Sequence, residues 1–140
     1  MKKIKVILVD DDADDRYLFD IFFADRPDLA LLPSVCNGAE LLDYLADINS
    51  PGQYPDLIVL DQNMPRMNGT QTLKVLKAHP KYKEIATVIY STYTDQNLIL
   101  EGSLLGAKSV ASKPIDKAGY FKMMDQFLKA TCLVVPAISE

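Results

Sequence analysis

Five residues near the middle of the chain, Leu57-Ile58-Val59-Leu60-Asp61, indicate how it folds. The first four form a continuous apolar run of strand length, without the alternation typical of a strand that has one face in water. Such runs are typical of parallel strands that helices cover on both faces. Ligands bind where the strands of an open parallel sheet end at their carboxyl termini. Asp61, which ends this run, is therefore a candidate site residue.

Three further apolar runs also end on polar residues. The residues that follow them are Asp10 and Asp11, Ser91, and Lys113. Parallel strands bring their carboxyl ends to one edge of the sheet, so we expect these side chains to lie close together. A group of carboxylates, a hydroxyl and an ammonium is suited to holding a divalent cation and a phosphoryl group.

Apolar runs alternate with segments of helical period along the whole chain, which predicts an α/β protein with a doubly wound parallel sheet of five strands and with five helices. The expected strand order is 2-1-3-4-5, which makes the first and third strands neighbours. The predicted strands are 4–9, 29–34, 57–60, 86–90 and 107–112. The predicted helices are 14–25, one that opens at 37–40, 70–78, 95–104 and 116–130.

The apolar spacing also predicts which helix faces pack on the sheet. In the first helix we expect Leu18, Ile21 and Phe22 to face it. Acidic residues at a helix start are commonly caps or favourable first-turn charges. This interpretation is preferred for Asp12, Asp14 and Asp15.

Composition limits the classes of protein to consider. The 140 residues carry a net charge of −4, which is not the basic footprint of a nucleic-acid-binding protein. No apolar segment approaches the length of a membrane span, and the first strand leaves no room for a signal peptide, so we expect a cytoplasmic protein. The two cysteines have no metal-site spacing. We expect one domain over 1–131, a short tail over 132–140 and no effector domain.

The expected site has a clear electrostatic requirement. Neighbouring carboxylates raise one another's pKa unless a cation relieves them. Mg²⁺ suits a site of a few carboxylates, waters and phosphate oxygens. With a cation on one side and Lys113 on the other, Asp61 stays ionised and can attack phosphorus to form an acyl phosphate. Ser91 can donate a hydrogen bond to an oxygen of the transferred group.

Three segments resemble those of one protein family. The segments are Val6–Asp12, Pro55–Gly69 and Ser112–Pro114. They are similar to the receiver domains of response regulators in two-component signalling, and the middle segment is close to that family's phosphorylation signature. The resemblance covers residues 3 to about 130. It implies a flavodoxin-like fold and a stand-alone receiver that signals through protein–protein contacts.

The resemblance also implies a reaction. Asp61 would accept a phosphoryl group from a phosphohistidine on a sensor histidine kinase or a phosphotransfer protein. The chain would catalyse only its own phosphorylation and dephosphorylation, and so would not be an enzyme. Ser91 and Lys113 would bind the phosphoryl oxygens. The bond before Pro114 would be cis.

The same resemblance implies a metal site for Mg²⁺, with Mn²⁺ as an alternative ion. Asp11 and Asp61 would ligate it through their side chains, and Asn63 would do so through its backbone carbonyl. Asp10 would complete the acidic pocket through a water molecule or Lys113.

Some positions depart from the family pattern. Val110 stands where the family often has an aromatic switch residue, so the usual coupling of a hydroxyl to a rotating aromatic ring is not expected here. Tyr93 is either a cover that slows water attack on the acyl phosphate or a plain surface residue. The helix over 95–104 holds more leucines than one buried face needs. We interpret them either as a partner or homodimer surface, formed with the fifth strand and last helix, or as an ordinary core helix.

Other classes fit less well. Asp10-Asp11-Asp12 resembles the Asp-x-Asp of haloacid-dehalogenase phosphatases, but Asp14 stands where those enzymes have Thr or Val. No phosphate loop of Gly, Thr and Ser follows the first strand, as a flavodoxin requires. A binding-only pseudo-receiver, which would act without phosphorylation, is the main alternative. Its hallmark would be the loss of Asp61, Lys113 or the acidic pair, and this chain has all of them.

Overall fold

The computed structural model describes residues 2–133, which form one sheet of five parallel strands and five α-helices. The strands are β1 Ile4–Val9, β2 Leu29–Leu31, β3 Leu57–Asp61, β4 Ala86–Ser91 and β5 Val110–Ser112. The helices are α1 Ala13–Phe23, α2 Gly38–Ala46, α3 Gly69–Ala78, α4 Gln96–Leu105 and α5 Lys117–Ala130. The strand order is β2-β1-β3-β4-β5. This confirms the doubly wound, flavodoxin-like fold predicted from the sequence.

The sheet separates two hydrophobic cores. Within β1, Val6 and Leu8 contribute to the core that α1 and α5 cover, while Ile7 and Val9 contribute to the core that α2 and α3 cover. All five residues of β3 are buried. The apolar runs of these strands therefore reflect burial on both faces, as parallel strands require.

Each α-helix begins at a side chain that accepts hydrogen bonds from the backbone of its first turn. Such N-caps satisfy N–H groups that have no partner within the helix. The capping residues are Asp12, Asn37, Asn68, Asp95 and Asp116. The prediction of a cap at Asp12 is thus confirmed.

The predicted face of α1 was partly wrong. Phe19 and Phe23 are almost fully buried, whereas Ile21 is 44% exposed. The reason is aromatic packing against α5, where the ring centroid of Phe23 lies 6.0 Å from that of Tyr120. Leu18 and Phe22, as expected, pack against this core.

The second strand is shorter than the predicted 29–34. Ladder pairing ends at Leu31, and Pro33 has no N–H to donate to a neighbouring strand. The chain returns to the sheet only at Val35, which forms an isolated bridge with Val9. The fifth strand begins at Val110 and not at the predicted residue 107. Gly106 is the C-cap of α4 in a left-handed conformation, so the residues just after it still belong to the turn that leaves the helix.

The end of α5 bears on the expected domain boundary. The backbone N–H of Leu133 donates to the carbonyl of Leu128 at 2.9 Å, and its side chain packs on the core beneath α1 and α5. The rest of the tail, 134–140, lies outside the described residues, so the boundary at 131 stays a prediction. No helix within residues 2–133 is long and apolar enough to cross a membrane.

Candidate phosphoryl-acceptor and metal site

The register of the sheet brings the candidate residues to one edge. Val9 pairs with Leu60, Asp61 pairs with Tyr90, and Ser91 pairs with Ser112. Asp61 and Ser91, which end β3 and β4, therefore lie at the same carboxyl edge as Asp10 and Lys113, which follow β1 and β5. This is the juxtaposition that the strand ends predicted.

Three carboxylates form an acidic cluster there. One oxygen from each of Asp10, Asp11 and Asp61 lies within 4.8 Å of the others. Asp10 and Asp61 are buried, at 0% and 2% exposure, whereas Asp11 is exposed. A set of oxygen ligands that is open on one side fits a hard divalent cation that keeps several waters.

The electrostatics of Asp61 also favour a divalent cation at this cluster. Burial and the charge of Asp10 together raise the pKa of Asp61 to about 7, although Lys113 acts to lower it. The carboxylate is thus poorly compensated by the protein groups around it. A divalent cation beside it would favour the ionised form.

Lys113 lies among three carboxylates. Its Nζ is 3.1 Å from Asp10 and 3.2 Å from Asp61. A third carboxylate, that of Asp15, lies at 2.7 Å. Burial by itself would lower the pKa of Lys113, but the hydrogen bond to Asp15 and the charges of the other two outweigh it, so the pKa is raised. Lys113 therefore provides a permanent positive charge beside Asp61.

The role assigned to Asp15 from the sequence was incomplete. Asp12 does cap α1, accepting hydrogen bonds from the backbone N–H groups of Asp14 and Asp15 at 2.8 and 3.2 Å. Asp15 occupies the first turn of the helix, as expected. Its side chain also reaches Lys113, a contact between residues 98 positions apart that no local pattern could indicate.

Tyr90 is a site residue that the sequence reasoning missed. Its hydroxyl donates to Oδ2 of Asp10, and its ring centroid lies 4.8 Å from Nζ of Lys113. Burial raises the pKa of Tyr90, so the phenol keeps its proton and donates. The available signal was a tyrosine within the apolar run of the fourth strand, because a buried phenol requires a polar partner.

Ser91 and Asn63 form a second contact network at this edge. Oγ of Ser91 donates to the backbone carbonyl of Tyr93 at 2.9 Å and accepts from Nδ2 of Asn63 at 3.4 Å. The backbone N–H of Asn63 donates to Oδ1 of Asp61 at 3.2 Å. Asn63 thus contacts Ser91 through its side chain and Asp61 through its backbone N–H, and the sequence reasoning did not anticipate the side-chain contact.

The expectation of a cis bond before Pro114 was wrong. No cis peptide bond occurs within residues 2–133, so Lys113 and Pro114 are joined in the trans form. The trans form is the favoured one for most X–Pro bonds, by about 0.5–1 kcal/mol. This one feature of the family resemblance is not carried by the chain.

The loop after β3 is attached closely to the site. The backbone N–H of Gly69 donates to the carbonyl of Gln62 at 3.0 Å, and Oε1 of Gln62 accepts from the backbone of Thr70 at 2.9 Å. A Cβ atom at Gly69 would lie 2.7 Å from the carbonyl oxygen of Asp61. The start of α3 can approach β3 this closely only because residue 69 has no side chain.

Comparison with known proteins agrees with this geometry. The family described as "Response regulator receiver domain" matches residues 6–125. A protein-glutamate methylesterase/protein-glutamine glutaminase of Clostridium acetobutylicum is 32% identical over 131 residues, which cover 92% of this chain and 36% of that protein. The chain thus spans about a third of this relative, and the match does not extend to the rest of it.

Solved structures share the fold. The phosphorylated cyanobacterial phytochrome response regulator RcpA has a TM-score of 0.78 at 24% identity, with 99% of this chain and 100% of that chain covered. The Mn²⁺-bound form of response regulator Rcp1 has a TM-score of 0.74 at 22% identity, with 90% and 92% covered. At these identities the likeness concerns the fold.

Proposed function

Because this chain belongs to the response regulator receiver domain family of two-component signalling, we propose that it accepts a phosphoryl group on Asp61 from a sensor histidine kinase or a phosphotransfer protein. The observation that carries the proposal is the position of Asp61. Its carboxylate lies 3.2 Å from the Lys113 ammonium and beside the carboxylates of Asp10 and Asp11. A nucleophile between an ammonium and a cation site is the arrangement that phosphoryl transfer needs.

The residues present fit a Mg²⁺ ion, with Mn²⁺ as an alternative. Asp11 and Asp61 would ligate it through side-chain oxygens, and Asn63 through its backbone carbonyl. When bound, the ion supplies positive charge to the oxygens of the transferred group. The solved structure of Rcp1 described above is a Mn²⁺-bound form, which supports a divalent ion in this fold.

Asp10 is placed for a supporting role. Its Oδ1 accepts from the backbone N–H of Asp12 at 2.9 Å, and its Oδ2 accepts from Tyr90 and lies near Lys113. Both oxygens already have protein partners. This supports the expectation that Asp10 acts on the ion through a water molecule or through Lys113.

The chemistry then follows from the chain's own side chains. An oxygen of ionised Asp61 forms the new bond to phosphorus, and the bond from phosphorus to the donor's histidine nitrogen breaks. The electron pair leaves with that nitrogen. Lys113 neutralises the phosphoryl oxygens, and Ser91 donates to one of them after its hydroxyl turns away from the carbonyl of Tyr93. The chain promotes only its own phosphorylation and the hydrolysis that reverses it, so we do not propose an enzyme of external substrates.

The output would be a change in protein–protein contacts in the cytoplasm. We do not propose a nucleic acid or a membrane as a partner. The surface formed by α4, β5 and α5 is the candidate for a downstream partner or a homodimer. Leu100 and Leu104 on α4 are 60% and 78% exposed, which supports the interaction interpretation of its leucines.

The test is the mass of the intact protein after incubation with Mg²⁺ and acetyl phosphate. We expect one added phosphoryl group, lost in Asp61→Asn and lost when a chelator removes the metal. Asp56→Asn is a matched control, because Asp56 precedes the same strand but lies at its other end, paired with Lys5. No addition to the wild-type protein with any phosphodonor would contradict the proposal and favour the binding-only pseudo-receiver.

A further inference from the structure

Asp15 is the nearest of the three carboxylates around Lys113. The distance from Nζ to its Oδ2 is 2.7 Å, against 3.1 Å to Asp10 and 3.2 Å to Asp61. Charge-assisted hydrogen bonds of that length are among the stronger ones in proteins. Lys113 donates a hydrogen bond to Asp15, whereas its contacts with Asp10 and Asp61 are ion pairs.

Local contacts hold Asp15 in place. The cap at Asp12 begins α1 so that Asp15 lies in its first turn. Nη1 of Arg16, the next residue, donates to the backbone carbonyl of Asp10 at 2.8 Å and fixes that turn against the end of β1. The contact between Asp15 and Lys113 is therefore built into the junction of β1 and α1.

A phosphoryl group on Asp61 would compete for the same ammonium. It brings three acceptor oxygens and a charge of about −1.5 to −2. Three carboxylates already surround the ammonium within 3.2 Å, so a contact with one of these oxygens would replace an existing one. The side chain of Asp10 is 0% exposed, and leaving its charge without a cation would be costly. The side chain of Asp15 is 23% exposed, so water can solvate it after release.

From these contacts we infer that Asp15 is a positioning residue that holds Lys113 in the unphosphorylated protein and is exchanged for the phosphoryl group on Asp61. The inference rests on the proposed function. In this view Asp15 opposes phosphorylation in two ways. It occupies the ammonium, and its negative charge repels the incoming group.

The chain offers a closely matched control. Asp14 lies in the same first turn of α1, so its charge interacts with the helix N-terminus as that of Asp15 does. Asp14 is exposed, and its side chain makes no ion pair within residues 2–133. Asp15→Asn and Asp14→Asn therefore remove the same charge from the same turn, and only the first removes it from Lys113.

The experiment measures the dissociation constant of beryllofluoride, a phosphoryl mimic, by calorimetry at saturating Mg²⁺. Losing one exposed or partly buried charge pair typically changes an equilibrium constant by about three- to tenfold. We expect Asp15→Asn to bind that much more tightly than the wild-type protein. Asp14→Asn should match the wild-type protein, and Asp15→Glu, which restores the charge, should return the affinity toward the wild-type value.

A second measurement follows Lys113 itself, through the NMR signal of its ¹⁵N-labelled ammonium. In the wild-type protein this signal should move when beryllofluoride is added, as the partner changes. In metal-free Asp15→Asn it should already be displaced, and in metal-free Asp14→Asn it should not. A loss of general packing would instead shift the melting temperature and many other signals of both variants.

The outcomes separate the two proposals. If the wild-type protein binds no beryllofluoride and takes no phosphoryl group, the proposed function fails, and this inference fails with it. If the wild-type protein binds and Asp15→Asn binds equally or more weakly, only the role of Asp15 is overturned. A weaker affinity would show that Asp15 presents Lys113 to the phosphoryl group instead of withholding it.

Discussion

Tyr90 donates its hydroxyl hydrogen to Asp10, although the two residues are 80 positions apart in the chain. The bond crosses from the end of β4 to the end of β1, with the last residue of β3 between them in the sheet. It leaves the buried carboxylate of Asp10 with a proton donor in addition to Lys113. The position of Asp10, at the end of β1, therefore depends on a side chain of β4, which lies on the other side of β3.

Tyr90→Phe should destabilise the protein by about 1–3 kcal/mol, the usual cost of losing a hydrogen bond to a buried charged group. The ring is kept, so the contact between the Lys113 ammonium and the aromatic face stays. The free energy of unfolding in urea measures the effect. Tyr120→Phe is the control, because the Tyr120 hydroxyl makes no hydrogen bond within the part of the chain described, 2–133. Equal losses in the two variants would contradict a specific role for the Tyr90 hydroxyl.

The stability of the metal-free protein should fall as pH rises from about 4 to above 7. Burial and the charge of Asp10 raise the pKa of Asp61 from its ordinary value of 3.8 to about 7. Over that interval the folded state holds a proton that the unfolded state has released, so this stabilisation is complete below pH 3.8 and lost as pH passes 7.

The measurement is the melting temperature with a chelator from pH 4 to 8. The melting temperature of Asp61→Asn, relative to that of the wild-type protein, should rise by several degrees from pH 4 to 8, since the amide does not ionise. Asp14→Asn serves as the control for removing one acidic residue. Added Mg²⁺ should restore much of the stability of the wild-type protein at pH 8, because it binds the folded state. Parallel curves for the wild-type protein and Asp61→Asn would show that Asp61 ionises normally.

Gly69→Ala should destabilise the protein by about 1–3 kcal/mol through overpacking. The new Cβ would meet the carbonyl oxygen of Asp61 at 2.7 Å and Cα of Gln62 at 3.0 Å, both backbone atoms that cannot turn aside. Because the end of β3 must move, phosphorylation should also slow. Gly52→Ala is the matched control, since a Cβ there meets nothing within 4 Å. Urea unfolding and the rate of phosphoryl addition test both effects.

Tyr93→Ala tests whether the tyrosine covers the acyl phosphate. The Tyr93 side chain is 80% exposed, and its backbone carbonyl receives the Ser91 hydroxyl, a contact that the substitution keeps. If the ring excludes water from the site, hydrolysis of phosphorylated Asp61 should become severalfold faster. Tyr17→Ala, which removes a 64% exposed tyrosine from α1, is the control. An unchanged rate of dephosphorylation would identify Tyr93 as a plain surface residue.

Much of the fold could be predicted because its signals are local. The apolar runs of β1, β3 and β4 reflect burial on both faces of the sheet, and this requirement leaves few arrangements of five alternating strands and helices. The same locality explains the errors. Spacing in α1 suggested Ile21 as a core residue, but Phe23 packs against Tyr120 of α5 and Phe19 packs against Phe23, so these two are buried instead.

The sequence by itself determined which chemical groups stand at the strand ends, since each follows directly from its own apolar run: the aspartates after β1, Asp61, Ser91 and Lys113. Only the tertiary structure decided which of these groups touch. Lys113 lies between Asp10, Asp61 and Asp15, and Tyr90 reaches across the sheet to Asp10. The contact of Tyr90 with Asp10 joins residues 80 positions apart, and that of Lys113 with Asp15 joins residues 98 positions apart. Strand register and the packing of α1 set such distances, and neither is recorded in the pattern of any single segment.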